Sequence, residues 1–348
     1  MMKKELPFQD PPAWGLLRWA YTLGITSAYE QTYPWLMSNF IEVYANDFFL
    51  DERTEYFLDF YRGGGNEFNS NNPFLIACNM NYELAAALTG DRIVDYIVDC
   101  MDKGYYPTLF IDEYYIPSSH AYQAYSCPHH LLIYGYDRES RTFNTAGFGQ
   151  TMAFERHITP FEDLELAYRA MRDKVMSKRQ RDDHMYLFQF NSGCAYTFHL
   201  EVVRQQLENY YFSRTSHNLV NKNVARYSFG LNTYDSLWAY FEAERTNHPN
   251  LINRNGVRQL HIYMEHKQIM MDRLRYLHAE GYVTHPEELI ADYAELHEQS
   301  FRMRNNLLKA FIRRKADDAI YGRIQEQLAG LKEREKGALG RLLEELHA

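Results

Sequence analysis

In YPWLMSNFIEVY, from Tyr33 to about Tyr44, apolar residues recur at helical spacing behind Thr32 as a cap and Pro34 in the first turn, which predicts a helix. DRIVDYIVDCMDKG, at 91–104, places Ile93, Tyr96, Ile97, Cys100 and Met101 on one helical face and closes on Gly104 as its C-terminal cap. The period then shortens. TLFIDEYYIP at 108–117, HHLLIYGYD at 129–137 and TFNTAGFG at 142–149 are short β-rich runs bounded by turn residues, the last two forming a hairpin that turns around 137–141. MYLFQF at 185–190 predicts a further strand before a helix over 197–212. From 236 onward the pattern is helical almost throughout, broken at Thr284, His285 and Pro286. The expected architecture is therefore α+β, with an antiparallel sheet in a domain at 1–235 and a helical bundle at 236–348.

The final segment carries Ile320, Ile324, Leu328, Leu331, Leu342, Leu343 and Leu346 among charges of both signs. Such a stripe is expected to pack on its own bundle, with pairing to a second copy as the alternative. Three glycines at 63–65 permit backbone that other residues avoid and predict a loop.

Composition narrows the class. The 348 residues are 46% hydrophobic and include 29 Tyr and 21 Phe, enough to fill a core and line a cleft. A net charge of −9 argues against binding along a phosphate backbone, so no nucleic-acid partner is expected. No stretch reaches the length of apolar chain that spans a bilayer, and the first thirty residues lack a signal-peptide pattern, so neither a membrane partner nor export is expected and a cytoplasmic setting is. Cys78, Cys100, Cys127 and Cys194 show no C-x-x-C spacing; reduced thiols, no cysteine zinc site and no cofactor are expected.

The chemistry concentrates between Phe110 and Phe148, where a strand, an irregular polar loop and a hairpin opening on paired histidines follow one another. Asp112, Tyr114 or Tyr115 and Pro117 form a D-x-Y-x-x-P strand end, Tyr122 lies in the loop, and His129, Leu132, Gly135, Tyr136 and Asp137 form H-x-x-L-x-x-G-Y-D. On these motifs, residues 25–150 resemble the N-terminal domain family of the butirosin biosynthesis protein H, to which the glycine-rich element around Gly64 is also similar. The resemblance implies a papain-like cysteine-peptidase core. It also implies an enzyme of acyl or peptidyl transfer, cyclisation or release in bacterial natural-product biosynthesis, working on an acyl or peptidyl carrier protein and a small-molecule or peptidyl, amine-bearing substrate.

In such folds a cysteine at a helix N-terminus is the nucleophile and a strand histidine its base. His129 takes the histidine position. The helix start reads Gln31, Thr32, Tyr33, Pro34 and Trp35, without cysteine. Thr32 is either an alcohol nucleophile or a helix cap, and Thr32, Tyr33 and Trp35 are expected to line the vacated position. Gln150 or Asp112 is expected to orient the imidazole. Asp112, Tyr115 and Gly64 are expected at the substrate.

Asn144 falls opposite Tyr134 by hairpin arithmetic, too far along the strand to reach His129. Asp112 and Glu113, adjacent on a strand, are expected to face opposite sides rather than form a dyad. Cys127 is expected in a loop, Cys78 in the core, and Cys194 at a helix start that would favour its thiolate. His261, Glu265 and His266 miss the i,i+4 histidine spacing of a helical zinc pair and are expected to be polar residues of the bundle. Without cysteine, direct transfer from a carrier thioester to an amine is the expected chemistry. The alternative is a non-catalytic relative that binds a carrier protein or assembly-line partner. A ligand-responsive helical regulator is a third, less supported reading, since no recognition helix stands out.

Overall fold

The computed structural model describes residues 1–60, 68, 72–177, 184–215 and 226–347. Its chain divides into two compact units: Met1–Thr32 with Gly65–Ala195, and Tyr33–Gly64 with Tyr196–Ala348. The expected boundary at 235 is thereby corrected. Residues after Thr32 leave the first unit to build a small sheet with strands far along the chain, a long-range pairing that local composition does not announce.

The first unit is built on a seven-stranded antiparallel sheet: β1 (Lys3–Glu5), β4 (Leu75–Asn81), β5 (Tyr105–Asp112), β6 (Pro128–Asp137), β7 (Thr142–Phe148), β8 (Phe154–Pro160) and β9 (His184–Phe190). The order is β4-β9-β5-β6-β7-β8, with β1 added to the far end of β6. Helices α1 (Leu17–Thr26), α3 (Tyr82–Thr89), α4 (Ile93–Asp102) and α5 (Phe161–Ser177) belong to the same unit.

The pattern at 91–104 is realised in α4, which buries Ile93, Ile97, Val98, Cys100 and Met101. Ile97 and Met101 are fully buried, and each contributes roughly 1.5–3 kcal/mol of transfer free energy before the entropy of ordering is set against it. Gly104 follows with φ +86°, donating its N–H to the carbonyl of Met101 at 2.9 Å. A left-handed residue suits glycine here because it has no Cβ to clash. Cys78, expected in the core, is exposed: it lies on β4, the edge strand of the sheet among the described residues.

The hairpin of β6 and β7 turns where the sequence predicts, with Asp137 opposite Thr142. The ladder shifts register between Ile133 and Gly135, so Asn144 lies opposite Gly135, one place from the expected Tyr134. A Cβ at position 135 would come within 2.9 Å of the Cβ of Asn144, which explains the glycine.

The second unit carries the sheet β10-β2-β3, from β2 (Val43–Asn46), β3 (Leu58–Phe60) and β10 (Tyr227–Phe229). Its helices are α2 (Tyr33–Met37), α6 (Leu200–Tyr211), α7 (Thr233–Arg245), α8 (Gly256–Ala279), α9 (Glu287–Ile312) and α10 (Asp318–His347). The helix expected over 33–44 is only one turn and a half long. Phe40 takes a positive φ of 59° and the chain enters β2, so strand pairing overrides the local helical spacing.

The apolar stripe of α10 packs on α6, α7 and α9 of its own unit, burying Ile324, Leu328, Leu331, Leu342, Leu343 and Leu346. Inside this unit Lys267 and Glu335 are fully buried, with Lys267 Nζ 2.7 and 2.6 Å from the two carboxylate oxygens. The hydroxyls of Tyr210 and Tyr234 donate to Glu335 Oε2 at 3.0 and 2.8 Å. No helix among the described residues is long and apolar enough to cross a membrane.

Candidate functional site

The site is organised by the end of a strand. β5 stops at Asp112 because its carboxylate accepts the N–H of Tyr114 at 3.2 Å and caps a 3-10 turn over Glu113–Tyr115. Strand alternation therefore ends there, and Glu113 is not held to the face opposite Asp112.

Asp112 is buried and fully engaged. Its Oδ1 accepts the N–H of Cys127 at 2.9 Å, and its Oδ2 accepts the hydroxyl of Ser126 at 2.7 Å and the ammonium of Lys174 on α5. Burial alone would raise its pKa, but the bonds from Lys174, Ser126 and the two amides outweigh it and hold the carboxyl below the usual range. A carboxylate so occupied is a clamp on the turn. This corrects the expected role of Asp112 as the group orienting His129.

The orienting group is Glu113. Its carboxylate, 3% exposed, accepts Nδ1–H of His129 at 3.0 Å through Oε1 and the Ser119 hydroxyl at 2.9 Å through Oε2. The imidazole is 35% exposed and stacks on Phe148 at 5.8 Å between ring centroids. One ring nitrogen is thus fixed by a buried acceptor, and the arrangement leaves Nε2 as the nitrogen for chemistry. Behind the strand, Tyr21 of α1 donates its hydroxyl to the carbonyl of His130 at 2.7 Å. Burial and the nearby Glu113 charge push the Tyr21 phenol well up.

Gln150 does not reach His129. In the ladder β6 pairs with β7 no further back than Leu132, His129 lies opposite Ile111 of β5, and the Gln150 amide donates to the carbonyl of Pro117 at 3.3 Å. Tyr115 is half-buried against the core, its ring edge-on to Tyr114 at 5.0 Å.

Thr32 is 3% exposed, and its hydroxyl is directed to the carbonyls of Thr26 at 2.9 Å and Tyr29 at 2.8 Å. It closes the turn after α1, so the hydroxyl serves the end of that helix rather than capping one that starts at residue 33. Tyr33 and Trp35 belong to the second unit, Tyr33 exposed and Trp35 buried. Gly64 lies outside the described residues. Within the first unit α1 bonds to the histidine strand through Tyr21, whereas the helix starting at residue 33 belongs to the second unit.

Cys127 precedes β6 and comes close to Glu113. Burial, then the charge of Glu113 and a hydrogen bond to it, pushes the thiol up to about 11, an environment that keeps it protonated. Cys194 lies in an irregular stretch six residues before α6 begins, not at its start. His261 pairs with Glu265 at 3.0 Å, and His266 Nε2–H donates to the carbonyl of Ile41 at 2.8 Å; all three are buried in the second unit.

One cluster escapes sequence reasoning. Donor atoms of Glu113, His120 and Cys127 all lie within 4.8 Å of one another. The only sequence signal is that three different ligand types share the fifteen residues between two strands; no standard spacing marks them. No known protein-family model matches the chain, and no curated protein sequence matches it.

Proposed function

We propose that the first unit is a papain-like acyl- or peptidyl-transfer domain in which His129, held by Glu113, is the general base. The observation that carries this reading is the 3.0 Å bond from a part-exposed imidazole to a buried carboxylate. A buried acceptor at Nδ1 selects the tautomer whose Nε2 lone pair takes a proton, and stabilises the imidazolium that results.

The chemistry that fits is direct transfer. An acceptor amine attacks the carbonyl of a thioester, Nε2 of His129 takes the amine proton as the C–N bond forms, and the C–S bond breaks to release the thiol, which recovers that proton. No covalent enzyme intermediate is needed. This agrees with a Thr32 hydroxyl committed to its own turn and a Cys127 thiol held protonated beside a carboxylate. An acyl or peptidyl carrier protein as donor, an amine-bearing acceptor, and cyclisation or release as variants of the same step, in bacterial natural-product biosynthesis, rest on the sequence resemblance.

A second reading is a binding domain that keeps the cleft without turnover. It is favoured by the same engagement of Thr32 and Cys127, which leaves the described residues of the site without an activated nucleophile of the cysteine-peptidase kind.

The test is incubation of the protein, and separately of His129→Ala, with acyl- and aminoacyl-carrier thioesters and amine acceptors, following thioester loss and new amide by mass spectrometry. Turnover that disappears in folded His129→Ala supports transfer. Carrier binding without turnover by either protein transfers the assignment to the binding domain.

A further inference from the structure

We propose that the segment joining β5 to β6 binds a transition-metal ion of the zinc class through Glu113, His120 and Cys127. The inference stands on the ligand geometry and holds whether or not the site transfers acyl groups.

Three observations carry it. First, a carboxylate oxygen, an imidazole nitrogen and a sulfur lie mutually within 4.8 Å. In a tetrahedral site with bonds of ~2.0–2.3 Å the ligands stand ~3.3–3.8 Å apart, so closing onto an ion draws the donors together by roughly an ångström. Second, Nδ1 of His120 is buried and has no hydrogen-bond partner among the described residues. A buried imidazole nitrogen is ordinarily satisfied, so an unpartnered one on a residue of the cluster points to a ligand. Third, the backbone around each donor is already fixed. Glu113 sits in the turn that Asp112 caps, and its N–H donates to the carbonyl of Cys127 at 2.9 Å. Cys127 N–H donates to Asp112 at 2.9 Å. Ser119, next to His120, is 3% exposed and donates to Glu113 Oε2 at 2.9 Å. Ligands held by their surroundings in this way bind without the entropy cost of ordering them.

The donor set selects the ion. Magnesium and calcium take oxygen ligands, whereas sulfur with imidazole and one carboxylate suits zinc and its spectroscopic substitute cobalt, the ion displacing the proton that the free Cys127 thiol carries. Three protein ligands leave a fourth position open. Glu113 also holds His129, so the ion and the imidazole share one carboxylate. The ordinary alternative is a polar cluster in which the Cys127 thiol simply donates to Glu113.

The experiment uses the full chain, stripped with a chelator and titrated with Co²⁺. We expect a thiolate-to-cobalt charge-transfer band in the near ultraviolet that saturates at one equivalent and is displaced by Zn²⁺. The band is lost in Cys127→Ser, kept in Cys78→Ser, Cys100→Ser and Cys194→Ser, and requires at least about tenfold more cobalt in His120→Ala. No band at saturating cobalt, a band that survives Cys127→Ser, or unchanged affinity in His120→Ala overturns the proposal. Far-ultraviolet circular dichroism accompanies each variant. Should Cys127→Ser not fold, the His120→Ala titration decides alone. Because the readout is cobalt absorption, a protein that binds metal but transfers nothing, or the reverse, separates this inference from the acyl-transfer reading.

Discussion

Nδ1–H of His129 donates to Oε1 of Glu113 at 3.0 Å, a pairing made across sixteen residues by ending one strand at a capped turn and starting the next beside it. If that pair is the catalytic base, removing the ring should cost much of the general-base contribution, roughly 10²–10⁴ in kcat. His129→Ala is therefore expected to lower kcat for thioester aminolysis in that range with KM little changed. Glu113→Gln, which keeps the ring but loses the carboxylate, should fall between the two, roughly tenfold or more below wild type. Steady-state kinetics on a carrier thioester measures both, and a change confined to KM would contradict the base role.

Asp112 positions this pair without touching it. Its carboxylate takes four hydrogen bonds, from two amides, a hydroxyl and an ammonium, and bonds to a charged acceptor contribute about 1.5–3 kcal/mol each. Asp112→Ala is expected to destabilise the first unit by at least about 3 kcal/mol and to release the Cys127 amide to hydrogen exchange. Lys174→Met, which removes a half-exposed partner while three donors remain, should cost only about 1 kcal/mol. Urea unfolding with amide exchange by NMR gives both numbers; equal losses would mean the ammonium, not the capped turn, holds the loop.

Thr32 offers a contrast between two roles. Its hydroxyl serves the carbonyls of Thr26 and Tyr29, so Thr32→Val is expected to cost about 1 kcal/mol of stability and leave turnover within about twofold of wild type. Loss of turnover in a folded Thr32→Val protein would restore the alcohol nucleophile.

Much of the architecture was written in local pattern. The strands at 128–137, 142–148 and 184–190 and the helices after 236 follow from apolar spacing and turn residues, while the strand expected at 108–117 runs instead over 105–112. What the pattern did not carry was non-local. Residues 43–46 become a strand because 58–60 and 227–229 pair with them, and the two units interleave for the same reason. At the site, alternation assigned Asp112 and Glu113 to opposite faces, and the rule failed where Asp112 turned from strand residue to cap. The partner of His129 was hidden by that one change of backbone. The nearness of His120 and Cys127 to Glu113 was hidden by an irregular loop to which no periodicity applies.

His266 makes the second unit sensitive to acid. Its Nε2–H donates to the carbonyl of Ile41, and Lys267 Nζ donates to Nδ1 at 3.1 Å, which fixes the neutral ring. Burial first, then the charges of Lys267 and Arg273, hold its pKa well below the ordinary value of 6.5, although Glu335 lies 3.8 Å away. The unfolded chain takes up a proton near 6.5 that the folded one refuses, so this stability is complete above 6.5 and declines as the pH falls toward the folded value. For one proton the slope is at most about 1.4 kcal/mol per pH unit. Urea unfolding across this range should show His266→Gln with a slope shallower by about one proton; identical slopes would remove His266 as the cause.

Lys267 and Glu335 should show how far a buried charge depends on its partner. Both are wholly buried; the hydroxyls of Tyr210 and Tyr234 donate to Glu335, and the Tyr210 hydroxyl also accepts from Lys267 Nζ at 3.3 Å. Glu335→Gln leaves the Lys267 ammonium uncompensated and is expected to destabilise by about 3–5 kcal/mol. Replacing both, Lys267→Met with Glu335→Leu, removes the desolvated charges together and should recover most of that loss, though the tyrosines then lose their acceptor at about 1 kcal/mol each. The coupling is read from a double-mutant cycle in urea. A double variant as unstable as the sum of the two single ones would show that the two charges contribute independently.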